Sequence, residues 1–403
     1  MRRDGVRALL LENIHSDAAE LLRASGHEVE TRSGALEESE LVEALEGVDL
    51  LGIRSTTFVT EKVLASAPQL QAVGAFCIGT NQIDLPAATG HGVAVFNAPY
   101  SNTRSVVEIA MGSIIAMARR LMEKNAAMHA GIWDKSAKGS HEVRGRSLGI
   151  VGYGNIGSQL SVLAEAFGMT VYFYDTEDRL ALGNARRCGS LQELLETAEA
   201  VSLHVDGRPG NRNLFGEDEF ATMRPRSLFL NMSRGFVVDH ASLRKHIESG
   251  HIAGAAIDVF PTEPKRQGDP FESDLRGLPN VILTPHIGGS TEEAQKDIGR
   301  FVAGKLRGYA DGGSTSLSVN LPTISTGELG GSHRLAHVHR NVPGVLAKVN
   351  AMFAEYGVNV DSQSLSTRGE VGYLVTDVNS DYTPVILERL EQLPETIRLR
   401  VLS

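Results

Sequence analysis

Cysteine is scarce in this sequence, and positive charge is in deficit. Only 2 of the 403 residues are cysteines, Cys77 and Cys188. They make no metal-ligand or redox spacing, and a chain so poor in cysteine does not depend on disulfides, so both are predicted to be free thiols. The formal net charge is −10 at pH 7. This excludes the cationic face of a nucleic-acid scaffold, although a few converging basic residues could still bind a small anion.

Long apolar runs are also missing. The basic amino terminus is followed by an apolar run only from Val6 to Leu11, which is interrupted by Arg7 and closed by Glu12. Such a run is too short for a signal peptide or a membrane span, so we expect a cytoplasmic protein with no membrane partner. The composition, 42% hydrophobic and 22% charged, is that of a globular chain, and 403 residues favour two or three domains.

Short apolar runs alternate with helical patterns along most of the chain. One series is RALLLE, DLLGIRS, LQAVGAF and VAVFNA, and a second is SLGIVG, TVYFYD, AVSLHV, SLFLNM, IAGAAIDV and NVILTP. This alternation predicts two α/β units with parallel sheets. Helical spacing at Ser105–Arg119 separates the two series, and a second helix at Thr291–Tyr309 is expected to return the chain to the first unit.

The carboxyl-terminal part has a different pattern. A stretch rich in Gly, Ser and Thr at 311–332 marks a linker. After it, RLAHVHR, VNVDSQSLS, VGYLVTDV and TIRLRVL read as strands, with PGVLAKVNAMFAEYG and TPVILERLEQL as helices, an order that predicts a ferredoxin-like domain. The predicted boundaries are 1–101 with 290–320 for the first unit, 102–289 for the second, 321–332 for the linker and 333–403 for the last domain.

A glycine-rich motif opens the second series. Gly152, Gly154 and Gly157 follow the strand SLGIV and begin a helix, and Asp175 ends the next strand. Strand, glycines, helix, strand and acid in this order are typical of a dinucleotide site, whereas the glycines alone could form a turn that binds nothing. An acid at that place accepts hydrogen bonds from ribose hydroxyls and repels a 2′-phosphate. The motif therefore predicts NAD as cofactor.

Three later strand ends carry polar groups suited to hydride-transfer chemistry. His286 follows the apolar run NVILTP between Pro285 and two glycines, and an imidazole can pass a proton in either direction near neutral pH. Arg234 follows SLFLNM, and its planar fork can hold a carboxylate. Glu263, in a proline-bounded loop, could orient the imidazole and raise its pKa. Taken singly, a structural histidine, a surface arginine and a solvated glutamate are the alternatives.

The motifs together resemble a known family. SRG at Arg234, DVFPTEP at Glu263 and TPHIGGST at His286, all downstream of GYGNIG, are similar to those of the D-isomer-specific 2-hydroxyacid dehydrogenases. The likeness extends to IRSTT, FCIGTNQIDL, FNAPYSNTRSVVE and GIWDK, and the last domain resembles an ACT domain. It implies two Rossmann-like doubly wound parallel-sheet domains, for substrate and NAD, plus a regulatory ferredoxin-like domain.

The resemblance also implies a reaction and a set of site residues. The reaction is NAD-dependent oxidation of 3-phospho-D-glycerate to 3-phosphohydroxypyruvate, the first step of L-serine biosynthesis, in a homotetramer. His286 would be the acid/base, Glu263 its partner and Arg234 the carboxylate clamp. The implied cofactor contacts are Gly152, Gly154, Asn155, Ile156, Gly157, Asp175, Met232, Ser233, Asp258, Gly288 and Gly289. The positions implied near the substrate are Arg54, Ser55, Ile78, Asn102 and Lys135.

The last domain carries a second predicted site. By resemblance, His339, Asn341 and Asn359 match positions that bind L-serine, a feedback inhibitor, across a subunit interface. Without the resemblance, Asn341 could be a helix cap and Asn359 a turn residue. His333, His337 and His339 do not predict a metal site, because no cysteine or carboxylate completes one.

One position departs from the family pattern, and two other functions remain open. Thr56 stands where some relatives have a second arginine, which makes the anionic pocket less basic. Oxidation of another 2-hydroxy acid, with 2-oxoglutarate reduction as an activity, is therefore one alternative. A non-catalytic NAD-sensing corepressor is the other, because the fold also serves that role.

Overall fold

The computed structural model describes residues 5–264, 268–327, 333–378 and 384–402. The chain divides into two compact units, Met1–Ser101 with Gln295–Ser403, and Asn102–Ala294. The finer division of the first unit into a substrate-binding domain, a linker and a regulatory domain remains a prediction. Residues 328–332 of the predicted linker lie outside the described residues.

The first unit contains a five-stranded parallel sheet in the order β2-β1-β3-β4-β5. Its strands are β1 (Arg7–Leu10), β2 (Glu28–Thr31), β3 (Leu50–Ile53), β4 (Ala72–Ala75) and β5 (Ala94–Phe96). The intervening helices are α1 (Ser16–Ala24), α2 (Glu38–Ala44), α3 (Glu61–Ser66) and α4 (Leu85–Gly90). β3, β4 and β5 are buried along their whole length, as expected for parallel strands covered on both faces.

The second unit contains a seven-stranded parallel sheet in the order β12-β11-β10-β9-β6-β7-β8. Its strands are β6 (Ser147–Val151), β7 (Thr170–Tyr174), β8 (Arg186–Arg187), β9 (Ala200–Leu203), β10 (Ser227–Asn231), β11 (Ile252–Ile257) and β12 (Val281–Leu283). Its helices are α5 (Thr103–Ala118), α6 (Leu121–His129), α7 (Asn155–Ala166), α8 (Leu191–Thr197), α9 (Glu217–Thr222) and α10 (His240–Glu248). The strand order reverses between β6 and β9, the position where doubly wound sheets bind ligands.

After the long helix α11 (Glu292–Gly312), the chain forms a four-stranded antiparallel sheet in the order β14-β15-β13-β16. The elements are β13 (His333–Arg340), α12 (Val345–Glu355), β14 (Val360–Arg368), β15 (Val371–Val378), α13 (Pro384–Glu391) and β16 (Thr396–Leu402). This is the ferredoxin-like order. The predicted fold class, two doubly wound parallel sheets plus a ferredoxin-like domain, is confirmed.

One face of the antiparallel sheet is buried within the first unit. Val338 and Tyr373 belong to the same apolar cluster as residues of α11 and of the parallel sheet. The Tyr373 hydroxyl is fully buried and donates a hydrogen bond to the Gly313 carbonyl over 2.6 Å. Thr315 and Leu321, in the stretch rich in Gly, Ser and Thr, are 0% exposed, so this part of the chain is packed rather than extended into solvent.

Two predictions from composition can be compared with this fold. Cys77 is half-buried, Cys188 is buried, and neither forms a disulfide. Within the described ranges, no helix is both long enough and apolar enough to cross a membrane.

Candidate active site

The glycine motif forms a tight turn between β6 and α7. Gly152 has φ +92°, and a Cβ atom there would lie 2.7 Å from the carbonyl oxygen of His204. A Cβ atom on Gly157 would lie 2.2 Å from the Gly152 carbonyl oxygen. Both positions therefore require glycine. Gly154 is the N-cap of α7 and has no side chain to cap the helix, so the amide groups of its first turn fit an approaching pyrophosphate.

A cavity of about 330 Å³ adjoins this turn, and it is lined by Gly152, Gly154 and Asp175 among other residues. Asp175 is fixed in place, because one carboxylate oxygen accepts from the Tyr153 amide (2.7 Å) and the other from the Glu177 amide (2.9 Å). An anchored carboxylate beside a glycine turn fits the ribose hydroxyls of NAD.

His204, which the sequence analysis did not single out, lines the same cavity. Its Nε2 lies 2.8 Å from the Ser202 hydroxyl oxygen, and burial lowers the pKa of the imidazole to about 4. The ring is therefore neutral near pH 7 and adds no positive charge beside the cofactor. No motif in the sequence signals this residue.

His286 and Glu263 form the polar pair of the site. Glu263 Oε2 lies 2.9 Å from His286 Nδ1, and Glu263 Oε1 accepts from the Phe260 amide over 3.0 Å. The hydrogen bond to Glu263 raises the pKa of the imidazole, against the opposing effect of burial. Burial is the largest single effect on Glu263 and works against its ionisation, but the bond and charge of His286, the Phe260 amide and the charge of Arg234 together outweigh it, and the pKa of the carboxyl is lowered. The imidazole side chain remains 50% exposed, so it is accessible to a substrate.

The backbone carrying His286 is held by one buried carboxylate. His286 has φ +54°, a left-handed conformation that few side chains adopt. Asp258, 2% exposed, accepts from the Thr284 hydroxyl (2.6 Å) and the Ile287 amide (2.9 Å) through Oδ1, and from the Gly288 amide (2.8 Å) through Oδ2. These three bonds fix the loop on both sides of the imidazole.

The glycines after His286 allow this close approach. A Cβ atom on Gly288 would lie 2.8 Å from Asp258 Oδ2, and one on Gly289 would lie 2.2 Å from the side-chain nitrogen of Asn102. Side chains here would push the loop away from its anchors. Asp258 stays a predicted cofactor contact, and in the structure its carboxylate oxygens accept hydrogen bonds from the loop.

Arg234 lies in a second loop that is organised by a buried side chain. Asn231, 0% exposed, accepts from the Ser233 amide (3.1 Å) and hydroxyl (2.8 Å), and its own amide nitrogen donates to the Arg234 carbonyl (3.0 Å). Met232, which lies between Asn231 and Ser233 in the sequence, is 8% exposed and packs in the core. The charge of Arg234 helps to lower the pKa of Glu263 and opposes the rise in the pKa of His286.

The structure brings the three predicted catalytic residues to one edge of the sheet. Arg234 follows β10, Glu263 follows β11 and His286 follows β12, and these strands are neighbours and parallel. A guanidinium that can bind a carboxylate thus shares an edge with an imidazole that can accept or donate a proton. Such an arrangement can hold a 2-hydroxy or 2-oxo acid and exchange a proton with its oxygen.

The other predicted substrate residues are distributed between the two units. Arg54 and Ser55 follow β3 and Ile78 follows β4, at the same edge of the first unit's sheet. In the second unit, Asn102 is the N-cap of α5, and its side-chain oxygen is buried without a hydrogen-bond partner among the described residues. Lys135 is exposed in a loop that follows α6.

Glu12 organises the loop after β3 and was missed by the sequence analysis. It is 9% exposed, and its carboxylate accepts from the amides of Arg54 (3.1 Å), Thr56 (3.0 Å) and Thr57 (2.9 Å). A charge so buried is stabilised by these three donors. Glu12 thus fixes the backbone from which Arg54 and Ser55 project.

The structure does not bring the predicted effector residues together within one chain: His339 and Asn341 lie at the end of β13 and just after it, and Asn359 precedes β14 at the opposite end of the antiparallel sheet. The His339 ring is 3% exposed, and its Nδ1 lies 2.9 Å from the Arg340 carbonyl oxygen. Asn341 donates to the Gly369 carbonyl (3.0 Å), while Gly344 is the helix N-cap, so Asn341 is not the cap. Asn359 is exposed just before β14. Among the described residues, no three His, Cys, Asp or Glu side chains cluster as metal ligands.

Comparisons with known proteins agree with this geometry. The model of the family described as "D-isomer specific 2-hydroxyacid dehydrogenase, NAD binding domain" matches residues 111–288, and that of an "AHAS small subunit-like ACT domain" matches 335–398. The chain is 49% identical to D-3-phosphoglycerate dehydrogenase of Escherichia coli (strain K12) over 405 residues, which is 100% of this chain and 98% of the relative. The chain belongs to the D-isomer specific 2-hydroxyacid dehydrogenase family.

More distant relatives extend the likeness. D-3-phosphoglycerate dehydrogenase of Dictyostelium discoideum is 46% identical over 400 residues, covering 99% of this chain and 98% of that one. The crystal structure of D-lactate dehydrogenase from Aquifex aeolicus, complexed with NAD and lactic acid, covers 75% of this chain and 95% of its own with a TM-score of 0.65 and 24% identity, which shows the shared fold. The resemblance seen in the motifs is confirmed: the chain is an enzyme of this family, and its cofactor is NAD.

Proposed function

We propose that this enzyme oxidises 3-phospho-D-glycerate to 3-phosphohydroxypyruvate with NAD, which commits carbon to L-serine. The observation that carries the proposal is the Glu263–His286 pair, 2.9 Å apart, at the same sheet edge as Arg234. The full-length likeness to enzymes named D-3-phosphoglycerate dehydrogenase supports the substrate. As part of the same proposal, the enzyme is a cytoplasmic homotetramer.

The reaction needs a proton acceptor and a group that holds the substrate. Arg234 binds the carboxylate through its planar fork, which places the 2-hydroxyl beside the imidazole. His286, in its neutral form, takes the hydroxyl proton, and Glu263 stabilises the imidazolium that results. The bound NAD supplies the acceptor for the hydride from C2. In the reverse direction, protonated His286 gives its proton to the keto oxygen.

The cofactor is held by the second unit. The glycine turn and the first turn of α7, with Asn155 and Ile156, receive the pyrophosphate, and Asp175 binds the ribose hydroxyls. In this proposal Met232, Ser233 and the loop at Gly288 and Gly289 lie beside the nicotinamide half. The residues proposed to lie near the substrate are Arg54, Ser55, Ile78, Asn102 and Lys135.

A substrate panel tests the reaction. With NADH at 340 nm, 3-phosphohydroxypyruvate should give a kcat/KM at least about tenfold above those of 2-oxoglutarate and glyoxylate, because only that substrate offers a phosphate group to the site. A higher kcat/KM for 2-oxoglutarate would favour the second candidate function, which Thr56 supports because the residue adds no charge to the substrate loop. If no 2-oxo acid led to oxidation of NADH, both dehydrogenase functions would be contradicted. The non-catalytic NAD-sensing corepressor would then be favoured.

We further propose that L-serine binds across a subunit interface, at His339, Asn341 and Asn359, and inhibits the enzyme. The ACT domain supports an amino-acid effector, and Asn341 and Asn359 present exposed amide groups that can pair with a carboxylate and an ammonium group.

Millimolar L-serine should lower turnover and raise the melting temperature of the wild type, because a ligand that binds the folded state stabilises it. In Asn359→Ala, the serine concentration that gives half inhibition should rise about tenfold, the effect of losing one strong hydrogen bond. D-serine is the matched control and should have neither effect. Unchanged turnover and melting temperature with L-serine would contradict the assignment.

A further inference from the structure

A second cavity lies at the opposite end of the NAD-binding sheet from the catalytic edge. Its volume is about 450 Å³, and its lining includes Ser147, Ala200, Ser227 and Ile252. These are the first residues of β6, β9, β10 and β11, whereas the glycine turn, Arg234 and His286 follow the last residues of their strands. The volume lies in the range of small-molecule pockets, roughly 300–1,000 Å³. The proposed reaction uses no residue of this cavity.

Two buried polar atoms in the lining have no hydrogen-bond partner in the described part of the chain. Ser227 is 1% exposed and Asn280 is 7% exposed. Among the described residues, neither the Ser227 hydroxyl nor the Asn280 side-chain oxygen has a hydrogen-bond partner. The amide nitrogen of Asn280 donates to the Ala253 carbonyl over 2.8 Å, which fixes the side chain and leaves the oxygen free. Buried polar groups in proteins are almost always paired, so these two atoms indicate a missing partner.

The cavity also carries surplus positive charge. Four arginines line it, against the carboxylates of Glu123 and Glu199. Two of the arginines are neutralised, since Arg120 contacts Glu123 (2.7 Å) and Arg146 contacts Glu199 (2.9 Å). The other two have no carboxylate partner among the described residues. Arg224 donates only to a backbone carbonyl, over 3.3 Å, and Arg226 has no side-chain hydrogen bond or ion pair there.

We infer that this cavity is a second ligand site, for a small molecule with an anionic group and a compact apolar body. Arg224 and Arg226 bind the phosphate or carboxylate, as free guanidinium groups do for either anion. The Ser227 hydroxyl and the Asn280 oxygen pair with polar atoms of the ligand. Ile114, Met117 and Leu228, which also line the cavity, contact its apolar part.

Calorimetric titration of the full chain with phenyl phosphate tests the inference. Benzoate distinguishes a carboxylate from a phosphate ligand, while inorganic phosphate and phenol supply the anionic and apolar halves alone. Phenyl phosphate or benzoate should bind more tightly than either half. Arg226→Gln should weaken this binding about tenfold, the effect of losing one charge-assisted contact.

Two further variants make the result specific. Ser227→Ala should weaken the ligand about threefold without lowering the melting temperature, because the hydroxyl has no protein partner to lose. Arg186→Gln, an exposed arginine of the same unit outside the cavity, should bind as the wild type does. If Arg226→Gln does not fold, Arg224→Gln replaces it.

Three outcomes would overturn the inference. One is equal affinity in all the variants, which would place the probe elsewhere, for example at the catalytic edge. Another is no binding of either aromatic probe at 10 mM, on the order of the weakest affinity that a small-molecule pocket gives. A third is a change in sedimentation coefficient in Arg226→Gln without probe binding to the wild type, because the cavity would then be an interface between copies of the chain.

Discussion

Replacing His286 by asparagine is expected to lower kcat for 3-phosphohydroxypyruvate by about 10³-fold, within the range for removal of a general acid. Asparagine is chosen because the residue has φ +54°, and asparagine tolerates this left-handed conformation better than alanine. The loss of activity then reports the imidazole rather than strain in the loop. The Kd for NADH, measured by fluorescence titration, should stay within about twofold because the glycine turn is untouched.

Glu263→Gln is the companion variant, because glutamine keeps the shape of the side chain and removes its charge. The hydrogen bond and charge of Glu263 raise the pKa of His286, so this variant should lower it. Reduction needs the protonated imidazole, and its rate falls as pH rises through that pKa. The fall should therefore begin at a lower pH in Glu263→Gln. Turnover of His286→Asn near the wild-type value, or an unshifted pH profile in Glu263→Gln, would contradict the acid/base assignment.

The buried strands could be predicted from the sequence because their signal is local. AVSLHV and IAGAAIDV are mostly apolar, and they form β9 and β11, which have a neighbouring strand on both sides. Two strands gave no such signal. β2 (EVET) and β8 (Arg186–Arg187) are edge strands with exposed, charged residues, so neither has an apolar run to reveal it. Pairing with β1 and β7 makes them strands, and sequence patterns do not show that pairing.

The predicted catalytic residues were the easier part of the site. Arg234, Glu263 and His286 each follow an apolar run, and parallel strands bring their carboxyl ends to one edge. How the backbone of the site is held in place was not predicted, although Asp258 was expected as a cofactor contact. Glu12 and Asp258 use their carboxylates to bind backbone amides 42 and 29 residues away, respectively, at Arg54 and Ile287. Such contacts depend on the folded path of the backbone, and their sequence neighbours give no sign of them.

The same limit applies to the packing of the ferredoxin-like domain. Its strands and helices could be predicted from alternating and helical patterns, and the structure has them in the predicted order. The sequence patterns of β13 and β15 predicted strands but not what covers their two faces. One face packs on α12 and α13, and the other joins the core of the first parallel sheet through residues such as Val338 and Tyr373. Composition at 311–332 predicted a linker and did not reveal this shared core.

Removing the guanidinium of Arg234 should give the second large effect. In Arg234→Gln, kcat/KM for 3-phosphohydroxypyruvate is expected to fall by about 10³-fold, because a carboxylate that loses a charged, bidentate partner in a desolvated site loses several kcal/mol of binding. Asn231 orders the backbone of this loop, so the side chain can change while the loop keeps its shape. The Kd for NADH should change little. Steady-state kinetics measure the loss of kcat/KM for the substrate, and NADH titration measures whether cofactor binding has changed.

Two arginine variants make this result specific to the planar fork. Arg234→Lys keeps the positive charge but loses the bidentate geometry, and it should recover no more than about tenfold of the lost activity. Arg212→Gln is the matched control: Arg212 is exposed, and its guanidinium lies 5.5 Å from the centre of the Phe236 ring in the neighbouring turn. Its kcat/KM should stay within about twofold of the wild type. Full activity in Arg234→Lys would show that charge alone suffices, whereas an equal loss in Arg212→Gln would assign the effect to the loop rather than to a bond between Arg234 and the substrate carboxylate.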